Sequence, residues 1–276
     1  MTAVAMPRHA GPSPRAALSR IERHHVIEWY LAGALIAFVM PLVGASLLGL
    51  HHDLYLLVYF TLAGTFVASF LAHSQLDWRG WLRTRLWWSV GTGAVVGAAI
   101  VRNVMSEAST PHPSGSFYWF ELVWRGGLYG VVDALMLFVF PATVAYLLLR
   151  DENRRRHLRF AALTMVLSMG ITATYHVGYP QFRGADLAQP EIGAVIATVP
   201  TALTGNPVGA IVAHSVYHVG ANVHTCRGAT YLPPDLDGYA ERGAGAVGVG
   251  LAAFWIVFAG AVIYVQRRRL FPSGAR

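Results

Sequence analysis

Six stretches of this chain are apolar for about the length of a bilayer crossing, and they limit its fold more than any other feature. A hydrocarbon core about 30 Å thick needs about 20 mainly apolar residues in a helix, because the backbone groups must bond to one another where no water is present. The runs are Trp29 to Leu50, Leu54 to Ala72, Leu86 to Val101, Phe117 to Leu149, Phe160 to Tyr175 and Ala244 to Val265. The fourth exceeds one crossing and contains Gly126, Gly127 and Pro141, which predicts a helix that is tilted, kinked or partly outside the membrane. Two weaker runs, Ile192 to Leu203 and Val208 to Val223, lie before the last.

Composition excludes the other classes. Hydrophobic residues make up 55% and charged residues 13%, the latter about half of the roughly 25% in soluble domains. A chain this apolar is not disordered, and a single cysteine, Cys226, forms no internal disulfide.

Charge placement decides whether the weak pair spans. All 21 basic residues are Arg, and Arg collects on short cytoplasmic loops. With eight spans, the inner segments carry Arg8, Arg15, Arg20 and Arg23; Arg79, Arg83 and Arg85; Arg150, Arg154, Arg155, Arg156 and Arg159; and Arg267, Arg268, Arg269 and Arg276. The outer loops carry only Arg102, Arg183, Arg227 and Arg242. Omitting one weak run would expel the triplet after Tyr264 to the outer face. The expectation is therefore an all-α, polytopic membrane helix bundle of about eight transmembrane helices with both termini cytoplasmic. Residues 1–28 form a basic N-terminal tail, 29–265 the transmembrane domain and 266–276 a basic C-terminal tail. The tails read as contacts with anionic membrane lipids, with no nucleic-acid partner. No cleavable signal peptide is evident, so the first helix serves as its own insertion signal, and the plasma membrane is the expected location.

Ionisable residues inside spans are functional candidates by default. Glu121 and Arg125 stand four apart with the acid first, the favourable order for a helical ion pair, and Tyr129 and Asp133 continue the spacing. His176 closes the fifth span. His214, His218 and Asn222 recur every four residues on one face of the seventh, with His224 following. Alternating span direction puts Glu121, His176 and His218 at similar depth towards the outer face, which predicts one shared polar cavity. His24, His25, His51, His52 and His73 lie at span boundaries or in loops and read as interfacial.

These residues resemble the CPBP family, the CAAX-protease and bacteriocin-processing intramembrane endopeptidases. Glu121-Leu122-Val123-Trp124-Arg125-Gly126 is similar to the first family motif, although Phe120 stands where the family has its water-activating first Glu. His176 matches the second motif with Thr172 in place of its Phe. His218 with Asn222 matches the third; an alternative register uses His214 with His218. Across roughly Phe117 to Val223, the resemblance implies an eight-helix bundle. It also implies peptide-bond hydrolysis in a membrane-associated peptide or protein, with Glu121 and Arg125 at the water and His176, His218 and Asn222 assisting it and the oxyanion.

Three readings stay open. The first is a glutamate-type intramembrane protease needing no cofactor. The second is a catalytically silent relative acting as a membrane partner or transport-like protein. The third is a metal-dependent membrane enzyme with His176, His214, His218 and Glu121 as ligands, since His at i and i+4 suits one metal; Ser215 after His214 departs from the usual zinc-protease signature.

Overall fold

An apolar run can satisfy its own backbone only as a helix, and the computed structural model of the chain follows that rule. It describes residues 23–50, 52–106, 108–112, 114–149, 156–224 and 245–270, among which there is no strand. Helix α1 (Arg23–Val39) runs on through a π-helical stretch, Met40–Leu47, with Pro41 near its start. There follow α2 (His52–Ser74), the short α3 (Trp78–Arg83) and α4 (Leu86–Val104). Next come α5 (Ser116–Leu148), α6 (Arg156–Val177), α7 (Ala188–Thr204), α8 (Val208–His224) and α9 (Gly245–Leu270).

Among the described residues, four helices are long and apolar enough to cross a membrane: His24–Leu47, His52–Ser74, Ser116–Leu148 and His157–Val177. The first helix is already formed at Arg23, ahead of Trp29, and the last continues past Val265 to Leu270. The outer parts of both expected tails, His51, Cys226 and most of the segment from His224 to Arg242 lie outside the described residues.

The long fourth run is one helix of 33 residues, and it is the most buried of the four. Its irregularity falls where the sequence placed the helix breakers. One π-helical stretch, Leu122–Leu128, contains Gly126 and Gly127, and a second, Leu135–Val139, directly precedes Phe140 and Pro141. An extra residue in a π turn changes which faces follow it, so the four-residue spacing along α5 does not hold one direction.

Successive long helices run in opposite senses. At one end Trp29 of α1 packs on Phe70 and His73 of α2, both ring pairs 5.6 Å apart. At the same end Trp81 of α3 meets Tyr146 of α5 at 5.1 Å and Phe160 of α6 at 6.5 Å, and Gln266 of α9 donates to Ser69 of α2 at 2.8 Å. Arg79, Arg83, Arg85, Arg159 and Arg267 cluster at this basic end. At the far end Ser46, in the π-helical extension of α1, donates to the Gly178 carbonyl just beyond α6 at 2.9 Å.

Large apolar side chains stay exposed along the helix flanks. Trp87 and Val95 of α4 are 81% and 71% exposed, and Leu31, Leu35, Val123 and Val166 are exposed as well. In water such a surface would be a liability; in hydrocarbon it is the surface a spanning helix requires.

Two contacts fix α8, the helix that carries the histidines. Gly205, at φ +73°, closes α7 in the left-handed conformation glycine favours. Asn206 then caps α8 by accepting from the Val208 N–H at 2.9 Å, while its amide donates to the Leu82 and Thr84 carbonyls, both at 2.7 Å. Along its length α8 lies close against α4. A Cβ added at Gly93 would sit 2.3 Å from the Gly209 carbonyl oxygen, so this small-residue contact lets the two backbones approach.

Candidate functional site

The middle of α5 carries one buried acid, Asp133, 2% exposed. The Tyr59 hydroxyl on α2 donates to its Oδ1 at 2.5 Å. Its Oδ2 lies 2.7 Å from Nε2 of His214 on α8. One turn along α8, Nε2 of His218 lies 3.1 Å from the same His214 nitrogen, and the Tyr217 hydroxyl bonds His214 at Nδ1. Asp133, His214 and His218 each point one ligand-capable atom to a common spot, all within 4.8 Å of one another.

This trio faces a cavity of about 650 Å³. His176 lines it too, and its Nδ1 is 2.8 Å from the Thr172 carbonyl. A carbonyl only accepts, so Nδ1 carries the proton and Nε2 keeps its lone pair. The cavity's far lips are Ala99 and Asn103 of α4 and Ile192 and Ile196 of α7, which line it while remaining exposed at the helix surface. A polar floor therefore opens between two helices onto an apolar flank.

A set of buried tyrosines backs the floor. Tyr129 of α5 and Tyr175 of α6 share a hydrogen bond of 3.1 Å and both line the cavity. Tyr175 bonds Tyr179 at 3.0 Å and Tyr55 of α2 at 3.3 Å, and Tyr55 bonds Tyr179 at 2.6 Å. Tyr129 also meets the His218 ring edge-on at 4.7 Å. Mutually bonded hydroxyls satisfy one another in a dry interior and fix α2, α5 and α6 around the acid.

No protein family, curated protein or solved structure matches this chain.

The structure divides the expected site residues into two groups. His176, His214 and His218 share the cavity, so both histidines of the alternative registers belong to it. Glu121 and Arg125 do not line it. They form the expected ion pair, and Arg125 reaches across to Asp53 of α2, Nε to Oδ1 at 3.0 Å and Nη2 to Oδ2 at 3.1 Å. All three side chains are buried. Glu121 therefore does not share the cavity that depth predicted for it with His176 and His218; Asp133 is the acid that lines it. Twelve residues separate the two acids on α5, about 18 Å of helix, and the guanidinium holds Glu121 towards α2. Asn222 also lies off the cavity, its amide donating to the His218 carbonyl at 2.9 Å. Of the boundary histidines, His24, His25 and His73 are exposed, whereas His52 is buried at 7%.

Sequence reasoning missed Asp53, Tyr55, Tyr59 and Tyr179. Asp53 stands one residue before the run that begins at Leu54, so a search for ionisable groups within spans does not reach it. Asp133 was visible as the end of the polar stripe, and as the second acid in an otherwise apolar run it carried a signal.

Proposed function

We propose that the chain is an intramembrane hydrolase whose centre is the cluster of Asp133, His176, His214 and His218, acting on an amide bond of a membrane-associated peptide or protein. The observation that carries this reading is the convergence of one acid and three histidines on the floor of a cavity whose lips are exposed on the bundle's flank. The Arg distribution supports eight spans with both termini cytoplasmic and the cavity towards the outer face, and we take the plasma membrane as the location.

Hydrolysis needs a base within reach of water and donors for the developing oxyanion. The Nε2 lone pair of His176 takes a proton from water as the water oxygen bonds to the carbonyl carbon. The hydroxyl of Tyr217, which also lines the cavity, is the donor available to the oxyanion. When the C–N bond breaks, His176 returns the proton to the departing nitrogen, leaving an acid and an amine. The Asp133 carboxylate orients His214 and offsets positive charge as the proton moves.

A second reading, the catalytically silent relative, draws on the Glu121–Arg125–Asp53 group and on Phe120, whose ring stacks on Phe117 and Trp124 at 6.0 and 5.9 Å. The residues that resemble the first protease motif are thereby committed to packing and ion pairing.

The two readings separate in cells expressing the wild-type chain, Asp133→Asn or His176→Ala at equal levels. Comparing membrane-protein fragments among them should show products that both variants lose. An identical fragment pattern in all three would reject hydrolysis and leave the silent relative.

A further inference from the structure

A carboxylate placed in an apolar bundle must be neutralised, because an isolated buried charge costs far more than folding can offset. Asp133 is 2% exposed, and Arg125, the buried arginine of its own helix, is already bonded to Asp53 and Glu121. Any cation that meets Asp133 therefore comes from the histidine side, where His214 stands 2.7 Å away.

The polar contacts around the trio bring three ligand-capable atoms within 4.8 Å of one another. Tyr59 occupies Asp133 Oδ1, which turns Oδ2 towards His214. The Tyr217 hydroxyl sits on His214 Nδ1; with the Nδ1 proton donated to it, His214 Nε2 presents a lone pair. Nε2 of His218 faces the same nitrogen at 3.1 Å. A single proton on His214 Nε2 can bond well to only one of its two neighbours, whereas a cation between them bonds all three. Ligand atoms about 2.0–2.2 Å from a tetrahedral zinc stand about 3.3–3.6 Å from one another; two of the observed separations are 2.7 and 3.1 Å and the third lies within 4.8 Å. His214 and His218, four apart on α8, present their imidazoles on one side of the helix.

We infer that Asp133, His214 and His218 bind one divalent transition-metal ion of the zinc class, with the fourth coordination position open to the cavity. Two imidazoles and one carboxylate suit zinc or a similar ion better than calcium or magnesium, which take oxygen ligands. Three protein ligands and an open position are the arrangement of a metal that activates water, and His176 stands on the same cavity as a proton acceptor. Tyr59 acts as a positioning residue, since a hydrogen bond to a ligating carboxylate fixes its direction. This inference rests on the hydrolase reading only for its purpose; the binding site stands on its own geometry.

The test uses the full chain purified in detergent, stripped with chelator and titrated with Co²⁺ in place of Zn²⁺. One Co²⁺ per chain with the intense visible absorption of four-coordinate cobalt, displaced by Zn²⁺, is the expected result. Asp133→Asn, His214→Ala and His218→Ala should abolish the spectrum, Tyr59→Phe should weaken binding about 10–100-fold, and His73→Ala, at an exposed histidine, should leave it unchanged. His218→Cys supplies a gain of signal that misfolding cannot imitate, a sulfur-to-cobalt charge-transfer band in the near ultraviolet. Absence of bound cobalt in the wild-type chain, or a spectrum that survives His214→Ala and lacks the new band in His218→Cys, overturns the inference. Cobalt binding together with unchanged membrane-protein fragments supports the metal site and rejects hydrolysis. Fragment production by a metal-free chain does the reverse.

Discussion

Gly130→Ala tests how the site is held together. Gly130 lies three residues before Asp133 on α5 and faces α8: a Cβ there would stand 2.7 Å from Ser215 Cα and 3.4 Å from the His214 carbonyl oxygen. Carbon atoms rest about 3.5–4.0 Å apart, so the methyl forces α5 and α8 about 1 Å further apart. Backbone atoms cannot swing aside as a flexible side chain can. The His214 to Asp133 contact, now 2.7 Å, crosses this same interface and lengthens beyond the roughly 3.2 Å limit of a good hydrogen bond.

Overpacking of this kind costs about 1–3 kcal/mol, while Ala in a helix gains about 1 kcal/mol over Gly. Gly91→Ala is the internal reference, because Gly91 is exposed on α4 and nothing lies within 4 Å of an added Cβ. The propensity gain is common to both variants, so their difference isolates the packing cost. Equilibrium unfolding in mixed micelles should place Gly130→Ala about 1–3 kcal/mol below Gly91→Ala, and cobalt affinity of the Gly130 variant should fall at least about tenfold. If the two variants unfold together, α5 and α8 are not in backbone contact at Gly130 and the reasoning fails.

Two further substitutions probe the rest of the bundle. Arg125→Ala leaves Asp53 and Glu121 buried without their shared cation and should destabilise by about 3–5 kcal/mol; Arg125→Lys should recover little, because an ammonium lacks the fork that meets both Asp53 oxygens. Both are read by the same micelle unfolding, and wild-type stability in Arg125→Ala would refute the assignment. Asn206→Ala removes two carbonyl bonds and the cap of α8 and should cost about 1–3 kcal/mol. Asn206→Asp should restore the cap alone, since a carboxylate cannot donate to Leu82 and Thr84; thermal unfolding that ranks Asp equal to Asn would contradict that role.

The sequence by itself determined the all-helical character, the apolar flanks, the irregular α5 and the polar residues worth pursuing. These depend on local chemistry: backbone groups in an apolar run must bond within the run, Gly and Pro loosen a helix, and charge inside it is costly. The Glu121 to Arg125 pair was legible for the same reason, its partners being one turn apart.

Tertiary structure alone decided which polar groups meet. Asp133 finds Tyr59 and His214 across separations of 74 and 81 residues, and Arg125 finds Asp53 across 72. Those meetings depend on how far each helix is rotated about its axis, and here the π turns of α5 and the glycine contacts of α8 set the rotation. A four-residue spacing placed Glu121 and Asp133 on one stripe. The folded bundle gave the first acid to an arginine and the second to a histidine and a tyrosine.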